Sequence, residues 1–452
     1  MKRIIKFRKS IMLLVKALIV ASMTCAFIDV WKNYYPQSLF SQRGNYIVVL
    51  AYVLIFFTFT NLYGGFSIGF LRLHEIIYSF ALSTTFTNGI MYLIFCLIAR
   101  QMLPVWPTLI SVLCQFALAV AGTYCGNAIY FGINKSRRIL ALYADEETGK
   151  NIVRKMSLIP EKYWIEQAIC INNKDVEELK SIIDNYSSVL LCDIIHSTEN
   201  ELLTYCYSQK KRIYILPSSN DIIINNCHMS QVFDTPILLC RNRGLTMEQI
   251  IVKRLMDLVI SGIGIIITSP IMAVTALAIK LSNDGPVLFK QNRITADGKI
   301  FNVLKFRSMV YNPGGRDTKG ATDNDDRITK VGKIIRRLRI DELPQLFNII
   351  KGDMSIVGPR PERIENVYTY TEKLPEFSHR QRMKAGLTGY AQIYGKYNTS
   401  PEDKLNMDLT YIEKYSLLLD IKLIFMTIKI LFMKESTEGF AQTKEDESNG
   451  KV

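Results

Sequence analysis

Beyond Cys240 this 452-residue sequence contains no cysteine, and its nine cysteines include no CxxC pair. Catalysis in the remaining segment therefore cannot use a thiol, and no thiolate zinc site can form there. Charged residues are scarce at 21% of the chain, whereas hydrophobic residues make up 49%. This balance excludes a wholly disordered or fibrous protein.

Acidic residues are fewer than basic ones, 41 against 55, and the formal net charge is +14. A positive excess in so apolar a chain favours anionic partners. By composition alone, membrane surfaces, phosphorylated substrates and nucleic acid all qualify.

Charge is missing altogether from residues 45–71, 76–99 and 101–134. Each segment exceeds the roughly 20 residues that a helix needs to cross a bilayer. A fourth apolar segment, residues 11–28, is interrupted only by Lys16, whose side chain can reach the nearer surface. We predict four transmembrane helices within residues 1–134, acting as an anchor. The alternative for the first segment is a cleaved signal peptide, but no small-residue cleavage site follows it.

The flanks of these helices differ in positive charge, which sets their orientation. With the N-terminus inside, the cytoplasmic flanks hold Lys2, Arg3, Lys6, Arg8, Lys9, Arg72, Lys135, Arg137 and Arg138, and the outer loops hold Lys32, Arg43 and Arg100. This asymmetry predicts that the N-terminus and the chain after residue 134 are cytoplasmic.

Short apolar runs alternate with polar stretches in the middle of the chain. The runs cover residues 139–143, 168–171, 189–192 and 213–216. This pattern predicts a parallel, Rossmann-like α/β domain over residues 135–248. A dinucleotide is disfavoured because residues 144–149, after the first run, hold one glycine and three acids instead of the glycine fingerprint. A structural, oligomerising or regulatory role is the stronger interpretation.

Residues 258–279 form another charge-free stretch. Basic residues flank both of its ends, and Ser269 and Pro270 lie at its middle. Proline frees a backbone carbonyl, and a serine hydroxyl can satisfy it, so a bend at membrane depth is feasible. We predict a re-entrant helix over residues 258–280, with a kinked spanning helix as the alternative.

Adjacent carboxylates at Asp341 and Glu342 open a segment that resembles a short helix ending near Gly352. A helix N-terminus favours ionised carboxylates and attracts phosphate. An ionised aspartate can act as a nucleophile, so Asp341 is a candidate catalytic residue. The alternative is that Asp341 only caps the helix.

Basic clusters suggest phosphate binding. Arg360 lies between two prolines that restrict its backbone, while Lys305 and Arg307 alternate with an aromatic residue at strand spacing. Arg380 and Arg382 belong to a basic stretch before a glycine-containing loop. Residues 251–400 contain 24 Lys or Arg and 14 Asp or Glu, which favours an anionic lipid or nucleotide substrate.

Six motifs then occur in one order: KRLMD (253–257), DGPVLFKQ (284–291), KFRSM (305–309), DELPQ (341–345), VGPRP (357–361) and GLTG (386–389). In these motifs the sequence resembles the bacterial sugar transferases, the monotopic polyprenyl-phosphate phosphoglycosyl transferases that begin capsule, exopolysaccharide and O-antigen synthesis. The resemblance covers about residues 250–435, and the preceding half resembles that of the larger members.

The resemblance implies a transferase domain over residues 249–440, followed by a polar tail at 441–452. The fold class expected for the whole chain is thus a membrane α-helical bundle, an α/β Rossmann-like domain and a monotopic α/β catalytic domain with a re-entrant membrane helix. It also implies a bacterial cytoplasmic membrane location, with the catalytic domain facing the cytoplasm.

For the chemistry, the resemblance implies that Asp341 attacks a UDP-sugar, releases UMP and passes the sugar phosphate to polyprenyl phosphate. Mg²⁺ would neutralise the donor phosphates with Asp341 as a ligand, and Glu342 would assist metal binding or deprotonation of the acceptor. Arg360 would hold phosphate, and Lys253 and Arg254 would meet the lipid headgroup or the interface.

The expected partners are a UDP-sugar, polyprenyl phosphate and the lipid bilayer, with no nucleic acid; a homo-oligomer stays open. Two rival classes stay open as well. A non-catalytic membrane sensor or scaffold predicts no turnover, and a nicotinamide-dependent sugar-modifying enzyme predicts cofactor binding within residues 139–240.

Overall fold

The computed structural model of the protein describes residues 7–40, 43–172, 174–240, 244–282, 284–311, 327–396 and 399–431. Lys2, Arg3, Lys6 and the predicted polar tail at 441–452 lie outside these residues. The chain divides into two compact units, Met1–Ser218 and Ser219–Val452.

The first unit begins with four long apolar helices: α1 (Arg8–Tyr34), α2 (Gly44–Tyr63), α3 (Leu73–Ala99) and α4 (Trp106–Ile133). Each is long and apolar enough to cross a membrane, so the prediction of four apolar helices of bilayer-spanning length is confirmed. Aromatic rings fill their common core, where Phe27 of α1 stacks on Tyr52 of α2 with centroids 4.0 Å apart. Polar side chains also join the helices, since Asn88 Nδ2 donates to Gln115 Oε1 at 2.7 Å.

A four-stranded parallel sheet completes the first unit. Its strands β1 (Arg137–Tyr143), β2 (Tyr163–Cys170), β3 (Ser188–Cys192) and β4 (Arg212–Ile215) take the order β2-β1-β3-β4, and α5 (Glu146–Ser157), α6 (Val176–Ile183) and α7 (His196–Ser208) connect them. The predicted alternation of strands and helices is confirmed. The acidic turn after β1 contains the cap of α5, because Asp145 Oδ2 accepts a hydrogen bond from the Thr148 N–H at 2.7 Å.

The second unit opens with α8 (Ser219–Ile224) and an antiparallel hairpin of β5 (His228–Val232) and β6 (Thr235–Leu239). The long helix α9 (Met247–Ser282) follows and is the fifth helix that is long and apolar enough to cross a membrane. It contains the predicted re-entrant segment and is longer than that prediction.

Helix α9 continues through Pro270. Because Pro270 has no N–H to donate, the carbonyl four residues earlier, on Ile266, loses its helical partner. Ser269 Oγ donates to that carbonyl at 2.9 Å, as the sequence predicted for its hydroxyl. One face of the helix is apolar and open, with Ile266, Ile267 and Val274 between 68% and 74% exposed. So large an exposed apolar surface is typical of a membrane contact.

The other face of α9 packs on the rest of the unit in both halves of the helix. Near its start, Asp257 Oδ1 accepts hydrogen bonds from Ser355 Oγ at 3.0 Å and from the Ile356 N–H at 2.9 Å. Near its end, Met272 and Ile279 belong to a buried cluster with Phe306. The same globular unit therefore holds both halves of the helix.

The remaining elements form a compact α/β body beside α9. They are the antiparallel pair β7 (Leu288–Ile294) and β8 (Ile300–Phe306), α10 (Lys330–Arg337), α11 (Gln345–Lys351), β9 (Ser355–Val357), α12 (Ile364–Lys373), β10 (Gly386–Thr388), α13 (Tyr390–Tyr394), α14 (Pro401–Glu413) and α15 (Leu417–Leu431). Strands β9 and β10 pair in parallel at the centre. The main core includes Ile349, Met354, Val357, Tyr411 and Leu423.

Candidate active site

Asp341 and Glu342 lie in a 3-10 turn, Ile340–Glu342, between α10 and α11. The prediction that they begin the helix is therefore wrong by one turn. Arg339 adopts a left-handed conformation, with φ 57°, and reverses the chain after α10, so the two acids occupy the reversal itself. The predicted end of the helix is confirmed, because Gly352 takes a left-handed conformation after Lys351.

Glu342 is held by two cations. Its Oε1 accepts a hydrogen bond from Lys305 Nζ at 2.9 Å and another from Arg360 Nη2 at 3.3 Å. Burial alone would raise the pKa of Glu342, but Lys305, Arg360 and Arg339 outweigh it and hold the pKa well below its usual range. Glu342 is therefore ionised at any physiological pH and has its charge already balanced.

The neighbouring Asp341 is in the opposite situation. Of the residues that the structure describes, none forms a hydrogen bond or ion pair with its half-buried carboxylate. Burial raises the pKa of Asp341 and the Glu342 charge raises it further, against the attraction of Lys305, Arg336 and Arg339. The structure thus corrects the expectation that helix position favours ionisation of both acids. Asp341 is therefore the more basic of the two carboxylates.

The two cations reach Glu342 from separate elements. Lys305 is on β8, which Asn348 of α11 holds in place: its Oδ1 accepts from the Leu304 N–H at 2.9 Å, and its Nδ2 donates to the Asn302 carbonyl at 2.8 Å. Arg360 follows β9 in the loop that the VGPRP motif forms. Of the predicted phosphate-binding residues, Lys305 and Arg360 are brought to the acidic pair.

The other predicted phosphate-binding arginines pair with protein groups. Arg380 is buried, with Nε 2.6 Å from Asp408 Oδ2, and its Nη2 donates to the Arg360 carbonyl at 3.1 Å. Arg382 Nη1 lies 2.9 Å from Glu413 Oε1. Arg380 thus supports the backbone of the loop that carries Arg360.

Arg307 is buried after β8, where its Nη1 donates to the Asp284 carbonyl at 2.6 Å and its guanidinium lies 6.0 Å from the Tyr311 ring centroid. The strand predicted for Lys305, Phe306 and Arg307 is confirmed for the first two residues, because β8 ends at Phe306. The structure therefore places Arg307 among the contacts that hold the end of this strand.

Lys253 and Arg254, expected at the lipid interface, also contact protein groups. The buried Lys253 Nζ lies 2.6 Å from Asp420 Oδ2 of α15 and donates to the Tyr411 hydroxyl at 3.2 Å. Arg254 donates to the Ile349 carbonyl at 2.6 Å, at the C-terminal end of α11. These contacts fasten the first half of α9 to the domain.

Sequence reasoning missed the structural contacts of several residues of this unit. Lys253, Asp257 and Ser261 are buried at intervals of four residues on one face of α9. That spacing was the available signal, because polar residues on one face of an otherwise apolar helix indicate a partner. The pairing partner Asp420 lies 167 residues further along the chain and gave no local signal. Arg293 is one of the basic residues that follow the apolar stretch of residues 258–279, and the sequence alone gives it no role in the site.

An open cleft, with about 290 Å³ of empty space that includes adjoining solvent, lies beside Glu342. Its lining includes Lys305, Glu342, Arg360 and Arg293. Among the described residues no group of three or more His, Cys, Asp or Glu side chains could enclose a metal ion. Mg²⁺ is commonly held by one or two carboxylates together with substrate phosphates and water. The unpartnered Asp341 carboxylate fits that kind of binding, which requires a bound phosphate substrate.

Comparison with known proteins gives a family. The profile of the family "Bacterial sugar transferase" matches residues 248–434, which include α9, the acidic pair and both cations. An Aeromonas hydrophila protein named UDP-N-acetylgalactosamine-undecaprenyl-phosphate N-acetylgalactosaminephosphotransferase is 43% identical over 183 residues, covering 40% of this chain and 43% of that protein. The chain thus spans less than half the length of this relative.

Shorter relatives are covered more completely. A UDP-glucose:undecaprenyl-phosphate glucose-1-phosphate transferase of Caulobacter vibrioides is 38% identical over 41% of this chain and 71% of its own length. An uncharacterised sugar transferase of Bacillus subtilis is 41% identical over 43% of this chain and 92% of its own length. The chain therefore belongs to the bacterial sugar transferase family.

Proposed function

We propose that this protein transfers a sugar 1-phosphate from a UDP-sugar to undecaprenyl phosphate at the membrane surface, through a covalent intermediate on Asp341. Such a transfer would be the first membrane step of capsule, exopolysaccharide or O-antigen synthesis. The relatives' names mention UDP-N-acetylgalactosamine and UDP-glucose, so these are the first donors to test.

The unequal state of the two adjacent carboxylates carries the proposal. Glu342 is neutralised by Lys305 and Arg360, whereas Asp341 has no partner among the described residues and a raised pKa. A nucleophile needs a basic, unengaged oxygen, and a residue that only organises the site needs fixed contacts. This difference supports Asp341 as the nucleophile and Glu342 as the group that positions the cations.

In the first step, an Asp341 carboxylate oxygen attacks the sugar-bearing phosphorus of the UDP-sugar. The bond from that phosphorus to the bridging oxygen breaks, and the electron pair leaves with UMP. In the second step, an oxygen of undecaprenyl phosphate attacks the same phosphorus and displaces the Asp341 carboxylate. The products are UMP and an undecaprenyl diphosphate sugar, and the enzyme returns to its starting state.

The two cations, Arg360 and Lys305, would stabilise the negative charge that shifts during both steps. Arg360 is 43% exposed, so its guanidinium can contact a phosphate while it also touches Glu342. Lys305 Nζ pairs with the same Glu342 oxygen, and its positive charge reduces the repulsion between that carboxylate and the substrate phosphates. Their positions beside the cleft support stabilisation of the charge that develops on the leaving phosphate.

We propose that Mg²⁺ binds together with the donor diphosphate, held by Asp341 from the protein side. When bound, it would neutralise phosphate charge and polarise the phosphorus that is attacked. The absence of a fixed partner for Asp341 among the described residues supports this assignment.

We further propose that α9 enters and leaves the cytoplasmic leaflet and that the catalytic unit faces the cytoplasm of a bacterial inner membrane. A helix of 36 residues is about 54 Å long if straight, which would carry its two ends to opposite sides of a bilayer. The same unit instead contacts Asp257 near the start of the helix and Ile279 near its end. Contacts at both ends support a helix that returns to the side it left.

Activity is tested by incubating membranes that contain the protein with UDP-sugars and undecaprenyl phosphate and measuring released UMP. Asp341→Asn should remove transfer, because an amide cannot form the phosphoryl intermediate. Losing a covalent route should lower the rate more than about a hundredfold. A rate above that threshold in a folded, membrane-bound variant would exclude Asp341 as nucleophile. Lys351→Met is a matched control, since Lys351 is exposed and pairs with Asp353.

Topology is tested with single cysteines at Gln249 and Lys290, which lie before and after the apolar part of α9, in a cysteine-free variant. Both should resist a membrane-impermeant thiol reagent in intact cells and react once the membrane is opened. Labelling of only one position in intact cells would show that α9 spans the bilayer.

A further inference from the structure

Arg293 is a half-buried cation that has no ion-pair partner among the described residues. It is on β7, and its Nη1 donates to the Pro361 carbonyl at 3.0 Å while its Nη2 donates to Gln291 Oε1 at 2.7 Å. Both partners are neutral. None of the described residues forms an ion pair with Arg293, and its Nε is buried without a hydrogen-bond partner.

An arrangement of this kind has a cost that needs an explanation. A guanidinium has five N–H groups to donate, and a buried charge is normally paired. The negative charges of Glu362 and Glu365 stabilise the Arg293 cation, but the positive charges of Arg360 and Arg363 oppose them. The neighbouring charges therefore do not clearly compensate the charge of Arg293. Burial accordingly lowers the pKa of Arg293 to about 10, at which the group still carries its charge at neutral pH.

The position of Arg293 indicates what would compensate it. Arg293 lines the same cleft as Lys305, Glu342 and Arg360. Lys305 and Arg360 share the single charge of Glu342, so a ligand that enters this cleft meets more positive than negative charge. Phosphate oxygens are strong acceptors for several N–H groups of one guanidinium.

We propose that Arg293 is a phosphate-binding residue of the cleft, which holds a second phosphate group beside the one that Arg360 contacts. The inference rests on the proposed function for the identity of the ligand. The phosphate comes either from the nucleotide diphosphate of the donor or from the polyprenyl phosphate acceptor. In both cases the ligand supplies the missing countercharge.

The test uses the full chain in lipid nanodiscs and two probes, UDP and undecaprenyl phosphate. Arg293→Met keeps an apolar stem and removes the charge, and it should weaken binding of a probe about 10- to 100-fold. Arg293→Lys should recover part of this affinity. Lys290→Met is the matched control because Lys290 is exposed on the same strand, at a position of the opposite face.

The stability of the unliganded protein separates binding from a purely structural role. Removing an uncompensated cation should leave the unfolding midpoint unchanged or raise it. Weaker UDP binding assigns Arg293 to the donor, and weaker undecaprenyl phosphate binding alone assigns it to the acceptor. Affinities within twofold of wild type for both probes would overturn the inference. A loss of affinity accompanied by a lower unfolding midpoint of the unliganded protein would also overturn the inference. It would indicate that Arg293 acts structurally, through its hydrogen bond to the Pro361 carbonyl.

These measurements are independent of turnover. If the wild-type protein binds UDP through Arg293 but releases no UMP from any UDP-sugar, the proposed function fails and the binding assignment stands. If the protein turns over normally and Arg293→Met binds both probes normally, only the assignment of Arg293 fails.

Discussion

Replacing each acid of the pair by its amide should affect the stability of the second unit in different ways. In Glu342→Gln, two charge-assisted hydrogen bonds, from Lys305 and Arg360, become bonds to a neutral oxygen. Each such change costs about 1 kcal/mol. The 43% exposure of Arg360 reduces its share through solvent screening. We expect a loss of about 1–2 kcal/mol in the free energy of unfolding at pH 7.

Asp341→Asn should cause no such loss. The raised pKa means that the folded protein holds the Asp341 proton more tightly than the unfolded chain does. The stability from this group is therefore full below the unfolded-state pKa and is lost as pH rises through the folded pKa. At pH 7 the ionised form no longer stabilises the fold, so an uncharged amide should match or exceed it.

The pH dependence provides a second check on Glu342. Its lowered pKa gives stability that is present above the unfolded-state pKa, about 4.3, and is lost as pH falls toward the folded value. The deficit of Glu342→Gln should thus stay constant between pH 7 and pH 5. Pulse proteolysis in urea is a suitable assay, because Trp31, Trp106 and Trp164 all lie in the first unit and fluorescence would not report on the second. Equal losses for both amide variants would refute the reasoning.

Three further results are expected. The rate of UMP release should fall as pH drops through the raised pKa of Asp341, since only the ionised carboxylate attacks; a flat profile down to the ordinary pKa of aspartate would contradict this role. Lys253→Met should lower the free energy of unfolding by about 3–5 kcal/mol, because Asp420 stays buried without its cation, and adding Asp420→Leu should recover most of the loss. Additive losses by pulse proteolysis would argue against the pair. Chelation should stop UMP release until Mg²⁺ is restored, and undiminished release in chelator would exclude the metal.

Segments with strong local patterns were predicted well from sequence. The four helices of the first unit follow from charge-free runs longer than a bilayer requires, and the parallel strands follow from short apolar runs. The hydrogen bond that Ser269 donates was also predictable, because Pro270 leaves the carbonyl four positions earlier, on Ile266, without its helical partner.

Contacts between distant segments could not be predicted in this way. Arg380 and Arg382 looked like phosphate ligands because their acidic partners, Asp408 and Glu413, lie on a later helix. Lys253 looked interfacial because Asp420 is far away along the chain. Whether folding brings a carboxylate to a basic residue depends on contacts between distant segments, and sequence spacing does not contain that information.

The buried polar face of α9 constrains how the protein is made. Lys253 leaves the ribosome 167 residues before its partner Asp420. At bacterial translation rates of about 5–20 residues per second, that interval is roughly 10 to 30 s. During it, the newly synthesised helix has the hydrophobicity of a membrane segment and an unpaired cation near its start. The membrane insertion machinery therefore meets this helix before Asp420, the partner of its Lys253, has been synthesised.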